Sequence, residues 1–259
     1  MLQPNPILSL PTRDQSRLSG YQVLLDFYQG LQWPGREKLG EKRLIFNYAK
    51  IFVDKITSYL MSGVNFTVEA VEDVPEARAA AEVAEKALAR VYESNNLMQL
   101  DFETETDCTI LGDACYKVVW DEATGDVKVT APDIQGIYAW WLGDDISNVW
   151  RVASKYSLSA EEVEMLYGSR SLYPFSLSSK GESKRDFPFP HSKLITYNSP
   201  SSHTDSKLVT VVELWTSSTF ELYLDGLLID QKPNPYGFIP FVIFPMTVRA
   251  KVLNRGTPI

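Results

Sequence analysis

The sequence predicts an α+β protein in which helices come first and a mostly antiparallel β region follows. Residues 21–112 place apolar side chains at the three-and-four spacing of helices. From residue 113 to about 248, apolar and polar residues alternate instead, and turn signals separate the alternating runs. Helices and strands segregated along the chain are typical of the α+β class. We therefore expect one α+β domain over residues 21–259, preceded by an extended, proline-rich arm at residues 1–20.

Four helices are predicted in the first half of the chain. The first ends at Gly30 and the second at Gly63, where a glycine can take the left-handed conformation that closes a helix. The third begins at Pro75, because the first helical turn needs no amide donor. The alternation from Val64 to Glu69 predicts a short strand directly after the second helix. The helical segments are residues 19–30, 47–62, 76–94 and 97–112.

The second helix has an apolar face that is too rich for an isolated surface helix. We expect this face to pack either on the domain's own core or on a neighbouring subunit. Both possibilities are compatible with the spacing of its residues. These candidate packing or subunit-interface residues are Tyr48, Ile51, Phe52, Ile56, Tyr59 and Leu60.

The second half reads as strands and turns with one short helix. Ser159 and Glu162 have the spacing of a capping box, which predicts a helix from Ser159 to Gly168. Asp225-Gly226 is a strong hairpin-turn signal. The Ser- and Pro-rich segment 169–206 is expected to be a long loop. The predicted strands are a hairpin over 114–133, strands 136–142 and 147–157, a meander over 207–231 and an apolar strand within 234–248.

The composition argues against several classes of function. The net charge of −8 and the pI near 4.9 disfavour a protein that grips nucleic acid, because such binding requires Lys and Arg on the phosphates. Cys108 and Cys115 form no disulfide framework, and with the distant His191 and His203 they lack the spacing of a zinc site. No signal peptide or membrane-spanning run is evident. We expect no metal, no cofactor and no membrane partner.

The residues offer little catalytic chemistry. Ser201, His203 and Asp205 could form a hydrolase triad, but adjacent residues of one loop rarely point at one another, and the chain has no G-x-S-x-G elbow. The carboxylate pairs Asp144-Asp145 and Glu161-Glu162 fit a turn and a helix N-terminus. Phosphate-binding loops are absent from the sequence. We predict that the chain is not an enzyme, and a hydrolase that uses the His203 loop is the alternative.

Two further clusters suggest binding rather than catalysis. One is tryptophan-rich and could stack a sugar or a base, although aromatic residues in strands are more often core or interface. The other is basic and could contact DNA phosphate or an acidic partner, or could be a solvated loop. The tryptophans are Trp140, Trp141, Trp150 and Trp215, and the basic residues are Arg36, Lys38, Lys42 and Arg43.

Three motifs in a fixed order resemble the N-terminal half of tailed-bacteriophage portal proteins. The first is an Asn-initiated helix with a Val-Asp pair and a Leu-x-x-Gly stop. The second is a Gly-x-Ala-Tyr-like strand with an acidic hairpin, and the third is a Tyr-Gly-x-Ile-Pro-Phe/Val strand. The matching residues are Asn47, Val53, Asp54, Leu60, Gly63, Gly112, Asp113, Ala114, Tyr116, Trp120, Asp121, Gly125, Asp126, Tyr236, Gly237, Ile239, Pro240 and Phe241.

The resemblance implies a structural virion protein of the wing type. Portal proteins form a ring, a dodecamer in the full-length protein, at one capsid vertex, and they meet terminase, capsid and head-completion proteins. DNA is packaged and ejected through the ring without specific binding, so DNA-binding residues remain unknown. The resemblance also implies a location in the virion, and in the host cytoplasm during assembly.

In the family, the stem, clip and crown follow the third motif. We therefore expect that residues 1–259 do not include them. Another phage head or tail protein, or a generic interaction module with the same α-then-β order, is the alternative structural interpretation.

Overall fold

A computed structural model describes residues 10, 14–33, 35, 39–61, 66–122, 124–143, 148–167 and 208–245. Its N-terminal helices are followed by antiparallel sheets, with one short helix between two strands, which confirms the predicted α+β class. The helices are α1 (Gln15–Gln29), α2 (Tyr48–Leu60), α3 (Pro75–Ser94), α4 (Leu97–Leu111) and α5 (Ala160–Tyr167). The strands are β1 (Asp113–Asp121), β2 (Asp126–Thr130), β3 (Ile137–Trp141), β4 (Val149–Ser159), β5 (Leu208–Thr216), β6 (Thr219–Leu224), β7 (Leu227–Pro233) and β8 (Phe241–Pro245), and a 3₁₀ turn (Ile134–Gly136) precedes β3.

The strands form two antiparallel sheets. The smaller sheet has the order β2-β1-β8, and the larger has the order β3-β4-β5-β6-β7. β1 and β8 are paired with Lys117 opposite Phe241, although more than a hundred residues separate them in sequence. The larger sheet is the predicted meander extended by the β3-β4 hairpin.

The main core lies where α1, α2 and α4 meet both sheets. Its fully buried members include Tyr21 of α1, Leu111 of α4 and Ile137 of β3. A second apolar cluster fills the inner face of the larger sheet under α5, around Val163 and Val211. A third lies on the outer face of that sheet, where Leu10 is only 2% exposed.

A buried arginine joins the helical layer to the larger sheet. Arg17 of α1 donates from Nη1 to the carbonyl of Ile134 at 3.0 Å and from Nη2 to the carbonyl of Ile137 at 2.8 Å. Its side chain and that of Asp14 are each 1% exposed and form an ion pair at 2.9 Å. Because a buried charge is tolerated only when it is paired and hydrogen-bonded, these contacts fix the position of α1 on the β3 edge.

A second polar contact ties α1 to the smaller sheet. The hydroxyl of Tyr21 donates to Oδ2 of Asp113 at 2.6 Å, and both residues are buried. Burial raises the pKa of the Tyr21 hydroxyl, so it stays protonated and remains a donor. α1 is therefore held to both sheets by hydrogen bonds as well as by apolar packing.

The two sheets are also linked directly by an ion pair. Lys117 of β1 contacts Oε2 of Glu213 on β5 at 2.5 Å. The hydroxyl of Tyr156 and the indole N–H of Trp215 donate to the same carboxylate. Burial acts to raise the pKa of Glu213, but Lys117 and the two neutral donors reverse that effect, and the pKa is lowered. Glu213 is therefore a charged and fully partnered structural group.

The structure corrects two predictions in the N-terminal half. The extended arm was expected to reach residue 20, but α1 begins at Gln15, because the ion pair of Arg17 with Asp14 stabilises its first turn. The strand expected after α2 is not formed over residues 66–70. There the amide of Val68 donates to Oε2 of Glu85 on α3 instead of joining a strand ladder. Gly63 and Val64 lie outside the described residues.

Several local predictions are confirmed. Pro75 occupies the first turn of α3. The Ser159 and Glu162 side chains exchange hydrogen bonds with each other's amides, as in a capping box. Asp225 and Gly226 both have positive φ, as a tight hairpin turn between β6 and β7 requires.

We predict that Arg17→Met lowers the free energy of unfolding by about 3–5 kcal/mol, because it removes the buried cation that pairs with Asp14 and the donors to the carbonyls of Ile134 and Ile137. The measurement is chemical denaturation monitored by circular dichroism. Arg78→Met is the control, because Arg78 pairs with Asp73 at an exposed site, where such pairs contribute roughly 0–1 kcal/mol. Equal losses for the two variants would contradict the role assigned to Arg17.

A second prediction concerns Asp107, a half-buried residue of α4. Burial first, and then the carboxylates of Asp133 and Glu103, raise its pKa from 3.8 to about 6. The folded state therefore holds this proton more tightly than the unfolded state, so Asp107 reduces stability as the pH rises from about 4 through 6. Asp107→Asn should raise the free energy of unfolding by about 1–3 kcal/mol at pH 7.5 and leave it unchanged below pH 4.

The measurement for Asp107 is the denaturation midpoint at pH 3.5, 5 and 7.5. Glu93→Gln, at an exposed position of α3, is the matched control. A gain for Asp107→Asn that is the same at all three pH values would contradict the proposed cause.

Candidate subunit interface

The start of α2 is fixed by one asparagine. Asn47 Oδ1 accepts a hydrogen bond from the amide of Lys50 at 3.1 Å, as an N-cap does. Its Nδ2 donates to the carbonyl of Tyr28, near the end of α1, at 2.8 Å. Gly30 has φ of +81°, and a Cβ there would lie 3.3 Å from Nδ2 of Asn47. The close approach of the two helix ends therefore requires both a glycine and an asparagine.

A small polar network clamps α1 to α2 beside this cap. The hydroxyl of Tyr28 donates to Oδ1 of Asp54 at 3.1 Å and accepts from Nζ of Lys50 at 3.2 Å. The Lys50 ammonium also lies 4.6 Å from the centre of the Tyr28 ring. The hydrogen bond with Tyr28 raises the pKa of Lys50. These contacts set which side of α2 faces the domain.

The side of α2 that faces the domain is narrow. Val53 and Thr57 are its buried residues, with Ile56 half-buried beside them. Thr57 is fully buried, and its hydroxyl has no hydrogen-bond partner among the described residues. The predicted apolar face thus contributes little to the domain's own core.

Five of the six predicted apolar-face residues point into solvent. Phe52 is 66% exposed and Tyr48 is 72% exposed, whereas the core residue Val53 on the same helix is 8% exposed. Side chains three and four residues apart lie next to one another on a helix, so these side chains form one surface. Leu44 and Phe46, in the segment before α2, extend it, and the Phe46 and Tyr48 rings stack with centroids 6.4 Å apart. We call this surface the α2 patch: Leu44, Phe46, Tyr48, Ile51, Phe52, Tyr59 and Leu60.

The predicted catalytic candidates cannot be placed. Ser201, His203, Asp205, His191 and the pair Asp144-Asp145 lie outside the described residues. Within the described ranges no group of three His, Cys, Asp or Glu side chains could hold a metal ion, and no helix is long and apolar enough to cross a membrane.

The two cysteines are unreactive core residues. Cys108 and Cys115 are buried and free. Burial raises the pKa of each thiol to about 12, so neither forms the thiolate that a nucleophile or a metal ligand requires.

A cleft of about 270 Å³ lies between the two sheets. Lys117 and Glu213 line it together with Tyr156, Ser154 and Asp133. Lys117 and Glu213 at its wall form the ion pair that joins the sheets, and the carboxylate also accepts from Tyr156 and Trp215. Asp133 and Lys155 are the other charged residues of the wall, and burial lowers the pKa of Lys155. The contacts of Glu213 fit a structural role for that carboxylate.

The four tryptophans differ in burial. Trp141 and Trp215 are each 6% exposed and belong to the core, so they cannot stack an external ligand. Trp140 and Trp150 are half-buried. Two of the basic candidates, Arg36 and Lys38, lie outside the described residues. Lys42 is exposed, and Arg43 packs over the Trp33 ring and pairs with Glu41.

The second and third sequence motifs meet in space, although more than a hundred residues separate them. The carbonyl of Pro240 accepts from the amide of Val118 at 3.0 Å, and the hydroxyl of Tyr236 accepts from the amide of Trp120 at 2.9 Å. The motif residues therefore build the β1-β8 contact of the smaller sheet. Sequence reasoning identified both motifs but gave no sign that they pair.

A family model described as "Phage portal protein, SPP1 Gp6-like" matches residues 9–251. No curated protein sequence matches the chain significantly. The match covers most of the chain and includes all three motifs and both sheets. Proteins of that family are structural components of the phage virion. The chain therefore belongs to the SPP1 Gp6-like family of phage portal proteins.

Proposed function

We propose that this chain is the wing-type part of a portal ring and that the α2 patch is covered by a neighbouring subunit. The observation that carries the proposal is the exposure of Tyr48, Ile51, Phe52, Tyr59 and Leu60 on one helix. The Lys55 ammonium lies 4.6 Å from the centre of the Tyr59 ring, so the surface is mostly rather than wholly apolar. A largely apolar exposed surface on a folded domain is typical of a protein interface. Tyrosine and phenylalanine are also enriched in the buried centres of interfaces.

The energetics favour a covered patch. Complete burial of a Phe, Leu or Ile side chain contributes roughly 1.5–3 kcal/mol. Several such side chains on α2 and in the segment before it are exposed in the single chain. A neighbour that covers them would gain a substantial part of that free energy, after the cost of ordering the two partners.

We infer the type of assembly from family membership. In a ring each subunit contacts its two neighbours head to tail, so each subunit needs two different contact surfaces. We propose the α2 patch as one of the two surfaces. A dodecamer in the full-length protein, at one capsid vertex and in contact with terminase, capsid and head-completion proteins, is the arrangement that we infer from family membership.

The charge of the chain suits a conduit for DNA. Lys and Arg number 25 against 33 Asp and Glu, which gives a net charge of −8. Like charges repel, so DNA would pass such a surface without being held. We infer packaging and ejection of DNA through the ring, and a location in the virion after assembly in the host cytoplasm.

We propose that the chain has no catalytic activity of its own. The family is structural, the thiols of Cys108 and Cys115 are protonated, and the Glu213 carboxylate at the cleft wall is engaged by Lys117, Tyr156 and Trp215. A hydrolase that uses His203 remains the alternative enzyme, and loss of any hydrolytic activity in His203→Ala would be its signature. A carbohydrate site is disfavoured because Trp141 and Trp215 are buried.

We predict that Phe52→Asp, alone or with Tyr48→Ser, weakens self-association of the chain at least tenfold, because it places a charge in a surface that a neighbour must bury. The measurement is molar mass by light scattering behind a sizing column over a range of concentrations, with negative-stain images of any large species.

Met165→Asp is the matched control for this experiment. Met165 is an exposed apolar residue of α5, outside the α2 patch, and its substitution should leave the mass unchanged. A chain that is monomeric at every concentration, or that assembles equally well with Phe52→Asp, would refute the proposed interface.

A further inference from the structure

The strand β2 forms one edge of the smaller sheet, with β1 on its inner side. Val127 and Val129 of β2 lie opposite Trp120 and Val118 of β1. The amides of Trp120 and Val118 donate to acceptors in the segment just before β8, on the opposite side of β1 from β2. Both pairs are therefore non-hydrogen-bonded pairs of the antiparallel ladder, so the backbone N–H and C=O groups of Val127 and Val129 point out from the sheet edge.

The side chain of Asn95, the residue that ends α3, is bound to this edge. Its Nδ2 donates to the carbonyl of Val127 at 2.9 Å, and its Oδ1 accepts from the amide of Val129 at 2.9 Å. One residue of an added parallel strand would make the same two hydrogen bonds with its own backbone N–H and C=O. The Asn95 carboxamide thus occupies the place that a strand residue would take.

A second side chain satisfies the next backbone group along the edge. The amide of Val127 donates to Oδ1 of Asp126 at 2.9 Å, and Oδ2 of the same carboxylate accepts from Nη2 of Arg90 on α3 at 3.0 Å. Side chains therefore bind three of the four backbone groups that Val127 and Val129 present at the edge. We call Asn95 and Asp126 the β2 edge cap.

The corner between α3 and α4 holds the Asn95 carboxamide in position. Its Nδ2 also donates to the carbonyl of Val91 at 2.9 Å, and the backbone amide of Asn95 donates to the same carbonyl at 3.2 Å. The next residue, Asn96, has a positive φ of 48° and starts α4. The side chain is therefore fixed by its own helix end as well as by β2.

An open strand edge is a hazard, because its unpaired N–H and C=O groups are a template for a strand of another chain. β2 has the sequence Asp-Val-Lys-Val-Thr, and its β-branched residues favour strand pairing. A strand that approached β2 would have to displace hydrogen bonds that the edge cap already makes. Because it would only replace those bonds, its net gain in free energy would be small.

We propose that the β2 edge cap prevents strands of other chains from adding to the smaller sheet, so that the chain does not associate through this edge. The inference concerns a surface that is kept out of self-association, and it does not rest on the α2 patch as a subunit interface.

The first test is amide hydrogen exchange at Val129 in the full chain. In the unmodified chain this amide should exchange at least tenfold more slowly than in an unstructured peptide of the same sequence, because it is bound by Asn95. Asn95→Ala should raise the exchange rate at least tenfold. Gln99→Ala is the matched control, because the Gln99 carboxamide contacts Glu103 at an exposed site of α4, and it should leave the rate at Val129 unchanged.

The second test is self-association, measured by light scattering over a range of concentrations, with Phe52→Asp present in every chain. Asn95→Ala should raise the apparent association constant at least tenfold. Asn95→Ser should do the same, because its short side chain cannot span both backbone groups. Adding Val129→Pro should reverse the effect, because proline removes the outward N–H and is tolerated at that position of an edge strand. Circular dichroism confirms that each variant is folded.

Three outcomes would overturn the inference. One is exchange of the Val129 amide in the unmodified chain as fast as in the peptide. Another is an unchanged mass at every concentration for the folded Asn95→Ala and Asn95→Ser chains, and the third is association that persists when Val129→Pro is added. Since all chains in the association test carry Phe52→Asp, none of these results depends on whether the α2 patch is an interface.

Discussion

The buried guanidinium of Arg17 is the interaction on which the arrangement of this domain depends. It binds Asp14 and the two carbonyls that flank the start of β3, so the first helix can sit in only one place on the larger sheet. Tyr21, one turn later, binds Asp113 at the start of β1. Because α2 is then clamped to α1 through Asn47 and Tyr28, the orientation of α2 follows from that of α1. A buried arginine thus determines which residues the second helix presents to solvent.

That orientation gives α2 an unusual division of its side chains. The residues turned inward are the smaller Val53 and Thr57, while Phe52 and the two tyrosines are turned outward. A monomer under selection only for stability would be expected to show the reverse, because burial of large apolar side chains is the main source of folding free energy. The arrangement is reasonable for a portal subunit if a neighbouring subunit buries these exposed side chains in the ring.

The features that depend on neighbouring residues could be predicted from the sequence. The contacts between distant segments could not. Helix starts and tight turns depend on contacts between residues that are close in sequence. Three of them are found as predicted: Pro75, the Ser159–Glu162 capping box and the Asp225-Gly226 turn. The pairing of β1 with β8 could not be inferred, because the continuous apolar run from Phe241 to Phe244 does not encode which strand lies opposite. Of the strand expected at Val64–Glu69, the described residues 66–69 have the right period but form no strand, and the amide of Val68 donates to Glu85 instead.

The candidate interface, too, could be predicted only in its local features. Helical spacing identified Tyr48, Ile51, Phe52, Tyr59 and Leu60 as one surface, but it could not say whether that surface faces the core or solvent, because both require the same period. The decisive contacts come from Asn47 and Tyr28, whose polar partners are remote in sequence.

The most direct test of the α2 patch as a subunit interface is hydroxyl-radical footprinting of the assembled and the dissociated chain. The oxidation rates of Tyr48, Phe52 and Tyr59 are compared with those of Trp120 and Met165, which are exposed outside the patch. The account predicts at least fivefold protection of the three α2 residues on assembly and little change at Met165. Equal oxidation of the α2 residues in both states would show that assembly, if it occurs, uses another surface.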